Sequence, residues 1–416
     1  MPPVTVIYDP AKQRVPIKAW LDDLEAGALE QALHLAQLPF AHKHVALMPD
    51  AHQGYGMPVG GVLAAKGYVI PNAVGVDIGC GMQARRTGVK ARSLAARDRE
   101  HGTLLKAVLG DLMRDVPNGN GPAGSHRAPQ QWDFLGANPE FAALVGHAPD
   151  SLRKAWAHGA YQLGTLGGGN HFLEIQEDED GFVWVMLHSG SRALGKAVCD
   201  HFNALARDIN ARFHSEVPRE WQLAYLSLDS DEGRDYVAWM RLCLRYAEEN
   251  RARMLQAALT RLLERVRDNQ PDRELEISES VDTHHNYATL EEHFGEEVLV
   301  HRKGSVRARA GEMVVIPGSM ETGSYVARGV GSAESFQTCG HGAGRRLSRG
   351  AALRARTAES VLSSLRQKGI ELAKRSHKDV AEEAGHAYKD VDQVMAFQRD
   401  LVEPVYKLKP LGVVKG

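Results

Sequence analysis

Five side chains of types that commonly bind metal ions stand beside glycines or at the predicted ends of strands. Asp77 and Cys80 are three residues apart in a glycine-flanked turn, so both could touch one ion. His171 follows three glycines and an asparagine, His188 follows an apolar run, and His285 precedes an asparagine. Junctions between elements and loops are places where ligands converge. One such histidine alone is more often a hydrogen-bonded structural residue, so the set of five carries the prediction of a metal site.

The donor chemistry narrows the choice of ion. One thiolate, one carboxylate and three imidazoles suit manganese, zinc, cobalt or iron, and do not suit calcium or a dedicated magnesium cage. Five donors exceed a closed tetrahedral zinc site, which favours an open catalytic site with one ion or with two bridged by the thiolate. Cys80 is the expected central ligand. Cys199 and Cys243 fall in predicted helices as small core residues, and Cys339 lacks a partner in the sequence.

A second candidate for chemistry is His341, which lies between glycines that would let a large substrate approach its ring. From 301 to 356 the chain carries ten Lys and Arg against three Asp and Glu, a local excess of positive charge suited to phosphates. Arg345 and Arg346 adjoin the glycine loop and favour phosphate contact. For Arg354 and Arg356 a solvated helix face is an equally good interpretation.

Familiar nucleotide-binding and hydrolase motifs are incomplete or absent in this sequence. The run from Gly190 to Ala197 nearly forms a phosphate-binding loop, but Ala197 has no hydroxyl for magnesium. The run from Gly340 to Gly344 resembles a dinucleotide fingerprint, but Arg345 occupies the last glycine position. Lys-x-Asp-Gly, Gly-x-Ser-x-Gly and His-Glu-x-x-His are all absent. A lysine-adenylating ligase, a nucleophile-elbow hydrolase and a typical zinc protease are therefore unsupported.

The composition is that of an ordinary globular protein. The 416 residues are 43% hydrophobic and 25% charged, and 50 basic against 52 acidic residues leave a net charge of −2, so overall charge gives no argument for a nucleic-acid partner. Four widely spaced cysteines do not form a disulfide framework and favour a reducing compartment. No signal-like leader and no run of eighteen apolar residues is present, so we expect a cytoplasmic protein without a membrane partner.

Hydrophobic periodicity predicts a mixed α/β (α+β) fold. Helical spacing is expected over 17–38, 193–213, 231–267 and 351–373, and strands over 45–48, 183–187 and 298–317. The long segment 231–267 is interpreted as a packed, solvated helix with no functional role. Length alone leaves the number of domains open, and an irregular, exposed and mobile excursion is expected at about 117–139.

Eight ordered motifs closely resemble the RtcB family of RNA-splicing ligases, from about residue 40 to the C-terminus. The motifs are Met48-Pro-Asp-Ala-His-Gln-Gly54, Val74-Gly-Val-Asp-Ile-Gly-Cys-Gly-Met82, Gly167-Gly-Gly-Asn-His-Phe-Leu-Glu174, His188-Ser-Gly-Ser-Arg192, His285-Asn-Tyr287, His301-Arg-Lys-Gly304, Pro317-Gly-Ser-Met320 and His341-Gly-Ala-Gly-Arg345.

The resemblance implies a single large α/β domain over residues 1–416, of a family-specific fold with a central metal-binding cleft. It also implies a GTP- and manganese-dependent ligase. Such an enzyme joins an RNA 3′-phosphate, or a 2′,3′-cyclic phosphate after hydrolysis, to a 5′-hydroxyl in tRNA splicing or RNA repair. RNA with these ends is the implied partner, and archease is an implied candidate for an activating partner. Two manganese ions and GTP are the implied cofactors.

The resemblance also implies roles for individual residues. His341 is the expected nucleophile that becomes guanylylated. Cys80 is the expected bridging ligand between two manganese ions, which are held by Asp77, Cys80, His171, His188 and His285. The expected GTP or GMP contacts are Asn170, Glu174, Ser319, Ser324, Tyr388 and Lys415, and the expected RNA or phosphate contacts are Arg192, Arg345 and Arg346.

Three other functions stay open at this point. The first is a guanylyl capping enzyme that modifies nucleic-acid 3′-phosphates without efficient sealing. The second is a metallohydrolase that uses the same donors to activate water, with the basic segment binding an anionic substrate. The third is an RNA-binding repair factor with a structural metal site, for which Cys80→Ala would unfold the protein.

Overall fold

The computed structural model describes residues 5–267 and 276–416. Residues 1–4 and 268–275 of the expected single domain lie outside the described residues. Helices and strands alternate irregularly along the chain, as expected for an α+β protein. The helices are α1 Ala26–Ala36, α2 Pro71–Val74, α3 Leu104–Asp115, α4 Gly121–Gly124, α5 Phe134–Ala137, α6 Pro139–His147, α7 Asp150–Gln162, α8 Arg192–Arg212, α9 Asp231–Arg267, α10 Arg349–Ala355, α11 Ala358–Gln367 and α12 Val391–Phe397.

The strands build two large sheets and three short ribbons. In chain order they are β1 Thr5–Ile7, β2 Ile17–Ala19, β3 Ala41–Tyr55, β4 Met57–Ala65, β5 Tyr68–Val69, β6 Gly81–Lys90, β7 Arg97–Asp98, β8 Gly102–Thr103, β9 Phe172–Glu177, β10 Phe182–Ser189, β11 Leu226–Ser227, β12 Ile277–His284, β13 Asn286–His293, β14 Glu296–Lys303, β15 Ser305–Arg307, β16 Met313–Ile316, β17 Ser324–Gly329, β18 Thr338–Gly340, β19 Glu371–Ala373 and β20 Val402–Lys415.

The first sheet has six strands in the order β1-β2-β3-β4-β14-β13. Only the β2–β3 pair in this sheet is parallel. The second sheet has the path β12-β6-β10-β9-β20-β17-β16, with every pair antiparallel, and β19 adds in parallel to β20. The ribbon of β15 and β18 carries the chain into the loop that holds His341.

Strand β10 shows why the second sheet is buried on both faces. Its successive side chains point to opposite sides, as in any strand. Val183, Val185 and Leu187 join a core with α3 and α9, whereas Trp184 and Met186 join a different core on the other face. A continuous apolar run is therefore required, and the predicted buried strand at 183–187 is confirmed.

Other predicted elements are confirmed or corrected by the structure. The helices expected at 193–213 and 231–267 form as α8 and α9, and the expected strand region 298–317 contains β14 to β16. The helix predicted over 17–38 is wrong in its first half, where β2 pairs with β3 before α1 begins at Ala26. The strand expected to end at Pro49 continues to Tyr55, and the helix expected over 351–373 ends at Gln367 before β19.

The excursion expected at 117–139 is irregular over most of its length but contains α4 and α5. Its second half is held to the body by aromatic packing. The Trp132 ring stacks on Phe134 at 4.6 Å between centroids and meets the edge of Tyr246 in α9. This half is therefore attached to a core, which the sequence does not predict. Within the described ranges, no helix carries an apolar stretch long enough to cross a lipid bilayer.

Candidate metal centre and histidine site

Strand register brings the predicted metal ligands to one end of the second sheet. In β10, His188 pairs with Met82 of β6 on one side and with Phe172 of β9 on the other. On the far side of β6, His284 pairs with Gly81. Cys80, His171 and His285 are the immediate chain neighbours of these paired residues. Four adjacent strands, β12, β6, β10 and β9, thus deliver one ligand each to the same edge.

The ligand atoms form two triads that share Cys80. Sγ of Cys80 lies 3.4 Å from Nε2 of His171 and 3.2 Å from Nε2 of His188. Nε2 of His188 lies 3.3 Å from Nε2 of His285, and Oδ2 of Asp77 lies 3.1 Å from Nε2 of His171. Cys80, His188 and His285 form one triad, and Asp77, Cys80 and His171 form the other, with the donor atoms of each within 4.8 Å of one another.

The hydrogen bonds behind these ligands fit a site for cations. Nδ1 of His188 donates to the carbonyl of Asn170 at 3.2 Å, which leaves the Nε2 lone pair facing Cys80 and His285. Oδ1 of Asp77 and Nδ1 of His285 are buried and have no hydrogen-bond partner among the described residues. Burial, followed by the charge of Asp77, raises the pKa of Cys80 well above its ordinary value, so the thiolate needs a cation beside it.

A glycine allows the Asp77 carboxylate to enter the site. A Cβ atom built on Gly190 would lie 2.3 Å from Oδ1 of Asp77, closer than any real contact. The backbone after β10 therefore approaches the carboxylate in a way that a side chain would prevent. On the other side, Nδ2 of Asn286 donates to the carbonyl of Asp77 at 3.1 Å and fixes the turn. The glycines around these ligands thus allow the backbone to come close to the ligand side chains.

Helix α9 holds the ligand loops together, contrary to its interpretation as a solvated helix without a role. Asn250 is fully buried. Its Oδ1 accepts from the amides of Gly164 and Thr165, and its Nδ2 donates to the carbonyls of Thr165 and Gly190 and to the hydroxyl of Ser189. One side chain therefore ties the loop before His171 to the loop after His188.

The next residue of α9, Arg251, hydrogen-bonds further loops that carry predicted ligands. Arg251 is fully buried, and its Nη1 donates to the carbonyl of Gly79 at 2.9 Å and to that of Ser189 at 3.2 Å. Its Nη2 donates to Asp282 at 3.1 Å. Gly79 precedes Cys80, so this guanidinium positions the loop that carries the shared ligand. Residues in the middle of a long amphipathic helix give no local pattern that would predict these contacts.

His341 lies beside the metal ligands, as the sequence predicts, and is oriented by a buried carboxylate that the sequence analysis gave no role. Oδ2 of Asp50 accepts from Nδ1 of His341 at 2.6 Å and from the amides of His341 and Gly342. Since a carboxylate only accepts, Nδ1 carries a proton, and in the neutral ring Nε2 has a free lone pair. The His341 ring centroid lies 4.9 Å from that of His285. The motif Met48 to Gly54 contained the signal for Asp50.

A cavity of about 290 Å³ joins the metal ligands to His341. Of the residues predicted to act in metal or nucleotide binding or catalysis, most line it: Asp77, Cys80, His188, His285, His341, Asn170, Glu174, Ser319, Tyr388 and Lys415. The cavity wall also contains His52, Asn286, Lys303, Arg349 and Glu383, for which the sequence analysis gave no role. His171 reaches the centre through its triad instead of through the cavity wall.

Two of the predicted GTP or GMP contacts, Glu174 and Lys415, are buried side chains that line this cavity. Glu174 is buried, and burial raises its pKa to about 7. Nζ of Lys415 donates to the carbonyl of Gly169 at 3.0 Å and lies 3.6 Å from the carboxylate of Glu383. An acceptor carboxylate and a buried ammonium group side by side suit the polar edge of a base.

Two other predicted nucleotide contacts differ in their position. Tyr388 lines the cavity, and its hydroxyl hydrogen-bonds Glu383 and accepts from Nη1 of Arg345 at 3.3 Å. Ser324 does not line the cavity. Its hydroxyl accepts from Gln176 at 3.2 Å and from the amide of Gly318 at 3.4 Å, so it supports the 317–324 loop from behind.

The three predicted phosphate-binding arginines are in three different situations. Arg345 lines the cavity, but its guanidinium donates to Glu383 and to the carbonyls of Glu382 and Leu347. Nη1 of Arg192 lies 3.3 Å from Nδ1 of His171, outside the cavity wall. Arg346 is exposed and does not line the cavity. The structure therefore does not bring these three charges to one surface.

The fold and the donor set define an α+β protein with a cavity that could hold metal ions next to a histidine oriented by a buried carboxylate. Comparison with known proteins extends this description. A profile of the family described as "tRNA-splicing ligase RtcB" matches residues 31–416. The chain is 38% identical to "RNA-splicing ligase RtcB" of Escherichia coli K12, over 97% of this chain and 98% of the relative.

Two more distant relatives agree with this assignment. The chain is 34% identical to "tRNA-splicing ligase RtcB" of Thermococcus kodakarensis, over 97% of this chain and 95% of the relative. It is 35% identical to "RNA-splicing ligase RtcB" of Mycobacterium tuberculosis, over 93% of this chain and 100% of the relative. The chain belongs to the RtcB family of RNA-splicing ligases.

Proposed function

We propose that this ligase is GTP- and manganese-dependent and joins RNA 3′-phosphate ends to 5′-hydroxyl ends through a histidine–GMP intermediate. The observation that carries the proposal is the hydrogen bond from Nδ1 of His341 to Asp50, which orients the ring on the wall of the cavity of the candidate metal ligands, so that Nε2 of the neutral tautomer can act as the nucleophile. A neutral imidazole is available near pH 7, whereas a lysine would need a large decrease in pKa.

The reaction runs in three displacements. Nε2 of His341 attacks the α-phosphorus of GTP, an N–P bond forms, the α–β P–O bond breaks, and pyrophosphate leaves. An oxygen of the RNA 3′-phosphate then attacks the same phosphorus, which releases the imidazole and gives an RNA-3′-pp-5′-G end. The 5′-hydroxyl oxygen finally attacks the RNA 3′-phosphorus, and GMP leaves. A 2′,3′-cyclic phosphate is first hydrolysed to a 3′-phosphate.

Different residues of the chain have different proposed roles in the reaction. Asp77, Cys80 and His171 would hold one manganese ion and Cys80, His188 and His285 the other, and these ions would offset negative charge at the phosphates. Glu174 and Lys415 accept and donate hydrogen bonds at guanine, while Asn170, Ser319, Ser324 and Tyr388 complete or support the nucleotide pocket. Of the three predicted phosphate-binding arginines, Arg345 would contribute positive charge toward the phosphates in the cavity, whereas Arg192 and Arg346 lie outside the cavity wall.

Zinc would bind such donors more tightly than manganese, so geometry and availability select the ion. The four cysteines are all buried free thiols, in keeping with the cytoplasmic location that we propose. RNA with 3′-phosphate and 5′-hydroxyl ends, from tRNA splicing or RNA repair, is the proposed substrate. Archease is the proposed class of activating partner.

A joining assay tests the proposal. The protein is incubated with GTP, Mn²⁺ and an RNA pair with one 3′-phosphate and one 5′-hydroxyl end. We expect a sealed strand that requires all three components. Accumulation of a guanylylated 3′ end without a joined product would instead indicate a capping enzyme, and phosphate release without any GTP requirement would indicate a metallohydrolase.

A further inference from the structure

A second cleft, of about 370 Å³, lies beside the metal-binding cavity and contains basic side chains without ion pairs. Tyr55, Asn72, Asn203, Arg207, Arg219, Glu220 and Gln222 line it. Neither Arg207 nor Arg219 has an ion-pair partner within 5–267 and 276–416, and both are exposed. This contrasts with Arg345 on the cavity wall, whose guanidinium is already engaged by Glu383. The two guanidinium groups exceed the one carboxylate, Glu220, so the cleft carries a net positive charge.

The cleft also presents an aromatic ring to solvent. Tyr55 is 51% exposed, and its ring has no ring or cation partner among the residues that the structure describes. Exposed aromatic rings next to free guanidinium groups are the two components of single-stranded nucleic-acid sites, in which bases stack and phosphates pair. The amide groups of Asn72 and Asn203 add donors and acceptors for base edges.

The floor of the cleft is tightly built. Gly56 has a φ of +72°, and a Cβ on it would lie 2.7 Å from the carbonyl oxygen of Gln222. Gln222 itself has a φ of 60° in the left-handed region, which is uncommon for a residue with a side chain. Nδ2 of Asn72 donates to the carbonyl of Gln222 at 2.8 Å and locks the two segments together. The shape of the cleft is thus fixed by the fold.

Three connections place this cleft next to the site of chemistry. Nζ of Lys303, which lines the cavity, donates to the carbonyl of Tyr55 at 2.6 Å and to that of Asn72 at 3.1 Å. Strand β3 carries His52 on the cavity wall and Tyr55 in the cleft, and three residues of strand span roughly 10 Å. Asn72 is five residues before the ligand Asp77, which bounds their separation at roughly 18 Å.

We propose that this cleft binds the single-stranded RNA next to the joined ends, with a base stacked on the ring of Tyr55 and phosphates paired with Arg207 and Arg219. The proposal rests on the proposed function, because it takes RNA as the substrate of the neighbouring cavity. RNA leaving the cavity along β3 meets the ring and the two guanidinium groups within a few nucleotides. In this arrangement the basic segment around Arg345 lies at the cavity where the ends react, and the cleft binds the single strand that continues from them.

Binding measurements with a fluorescent single-stranded RNA bearing a 3′-phosphate test the proposal. Tyr55→Ala should weaken binding about tenfold, the scale of one base–aromatic stack, and Tyr55→Phe should retain it. The double variant Arg207→Ala/Arg219→Ala should lower the slope of log K against log salt by roughly 1.4, since each single-strand phosphate contact contributes about 0.7. Matched controls are Tyr8→Ala, where Tyr8 is 52% exposed, and Arg241→Ala at an exposed position of α9.

Formation of the GMP adduct is measured on the same samples to separate the two proposals. We expect every cleft variant to form the adduct at the wild-type level while RNA binding and joining decrease. RNA affinity and salt slope equal to those of the controls would overturn the cleft proposal and leave the proposed function intact. Absence of the adduct from the wild-type protein would instead count against the proposed function. Should Tyr55→Ala fold poorly, the charge reversals Arg207→Glu and Arg219→Glu give the same comparison at exposed positions.

Discussion

The chemistry of His341 depends on a carboxylate that lies 291 residues earlier in the chain. One oxygen of Asp50 accepts the ring N–H and two backbone amides of the 341–342 segment, so it sets both the tautomer of the ring and the conformation of its loop. The other oxygen, Oδ1, is buried without a hydrogen-bond partner in the described part of the chain. Such an oriented pair places a nucleophilic nitrogen at a fixed point without requiring a charged imidazole.

Replacing Asp50 with Asn should therefore abolish most of the nucleophilic power of His341. An amide can donate to Nδ1 and so favours the wrong tautomer, with the proton on Nε2. We expect the rate of GMP adduct formation to decrease by about 10⁴-fold, the scale seen for the aspartate behind a catalytic histidine. The measurement is single-turnover labelling with GTP and Mn²⁺. The control is Asp22→Asn at an exposed position, and equal rates for both variants would refute the role of Asp50.

Glu174 gives the nucleotide site an expected pH dependence. Burial raises its pKa to about 7, so the free protein carries a neutral carboxyl group below that pH and an acceptor carboxylate above it. If guanine binds the ionised form, a proton competes with GTP, and the apparent Kd should increase about tenfold for each pH unit below 7. Calorimetric titration with a non-hydrolysable GTP analogue between pH 5.5 and 8.5 measures this. Glu174→Gln should bind weakly with a flat profile, and a wild-type profile that is equally flat would argue against this contact.

At the scale of elements, β-sheet register and contacts from helix α9 together position the residues of the candidate metal centre. The antiparallel pairs around β6 and β10 bring ligands to one edge. Helix α9 then ties the loops beyond that edge through Asn250 and Arg251, both of which are fully buried. A buried polar side chain that satisfies several backbone groups is costly to remove, because each group loses its partner without regaining water.

Asn250→Ala should therefore lower both stability and metal affinity. We expect a decrease of about 2–4 kcal/mol in the free energy of unfolding, because the loop amides and carbonyls lose their partner in the interior. Urea denaturation with and without Mn²⁺ measures the change, and the metal-dependent part of the stability should shrink as well. Gln256→Ala on the exposed face of the same helix is the control. A loss of stability with unchanged metal affinity would show that α9 supports only the fold.

The sequence points to the residues of the two candidate metal-binding triads more readily than to the residues that position them, for a physical reason. Asp, Cys and His beside glycines are chemically distinctive at short range, and the five predicted ligands do form two triads. Asn250 and Arg251 act through contacts between distant segments and have no local pattern. The motif that contains Asp50 does not show that its carboxylate contacts His341. Helix α9 shows this clearly, since its many arginines indicate solvent while its tertiary position buries Arg251. Similarly, 17–19 has helical spacing but gains more by pairing with β3.

At the scale of the whole molecule, the thiol of Cys80 is shared by the two candidate metal-binding triads. Cys80 belongs to both triads, whereas His285 and Asp77 belong to one each. The same cavity then brings this centre against the His341 loop, which enters from the ribbon of β15 and β18. Residues from strands of both large sheets line this cavity, so the site depends on the complete fold more than on any single motif.

Metal stoichiometry tests this sharing. We expect the wild-type protein to bind two Mn²⁺ per chain, His285→Ala to bind one, and Cys80→Ala to bind neither tightly, because its removal leaves both triads with two donors. Titration calorimetry and elemental analysis of the desalted protein measure the number of ions. Cys199→Ala, on the buried face of α8, is the control. Retention of two tightly bound ions by Cys80→Ala would contradict the bridged arrangement.

The central claim is that Nε2 of His341 becomes covalently guanylylated and passes the GMP to an RNA end. The most direct measurement is peptide mapping by mass spectrometry of protein treated with GTP and Mn²⁺, followed by a chase with RNA bearing a 3′-phosphate. The account predicts one GMP on the peptide containing His341, its absence from His341→Ala, and its transfer to the RNA during the chase. A GMP adduct on another residue, or an adduct that RNA fails to discharge, would contradict it.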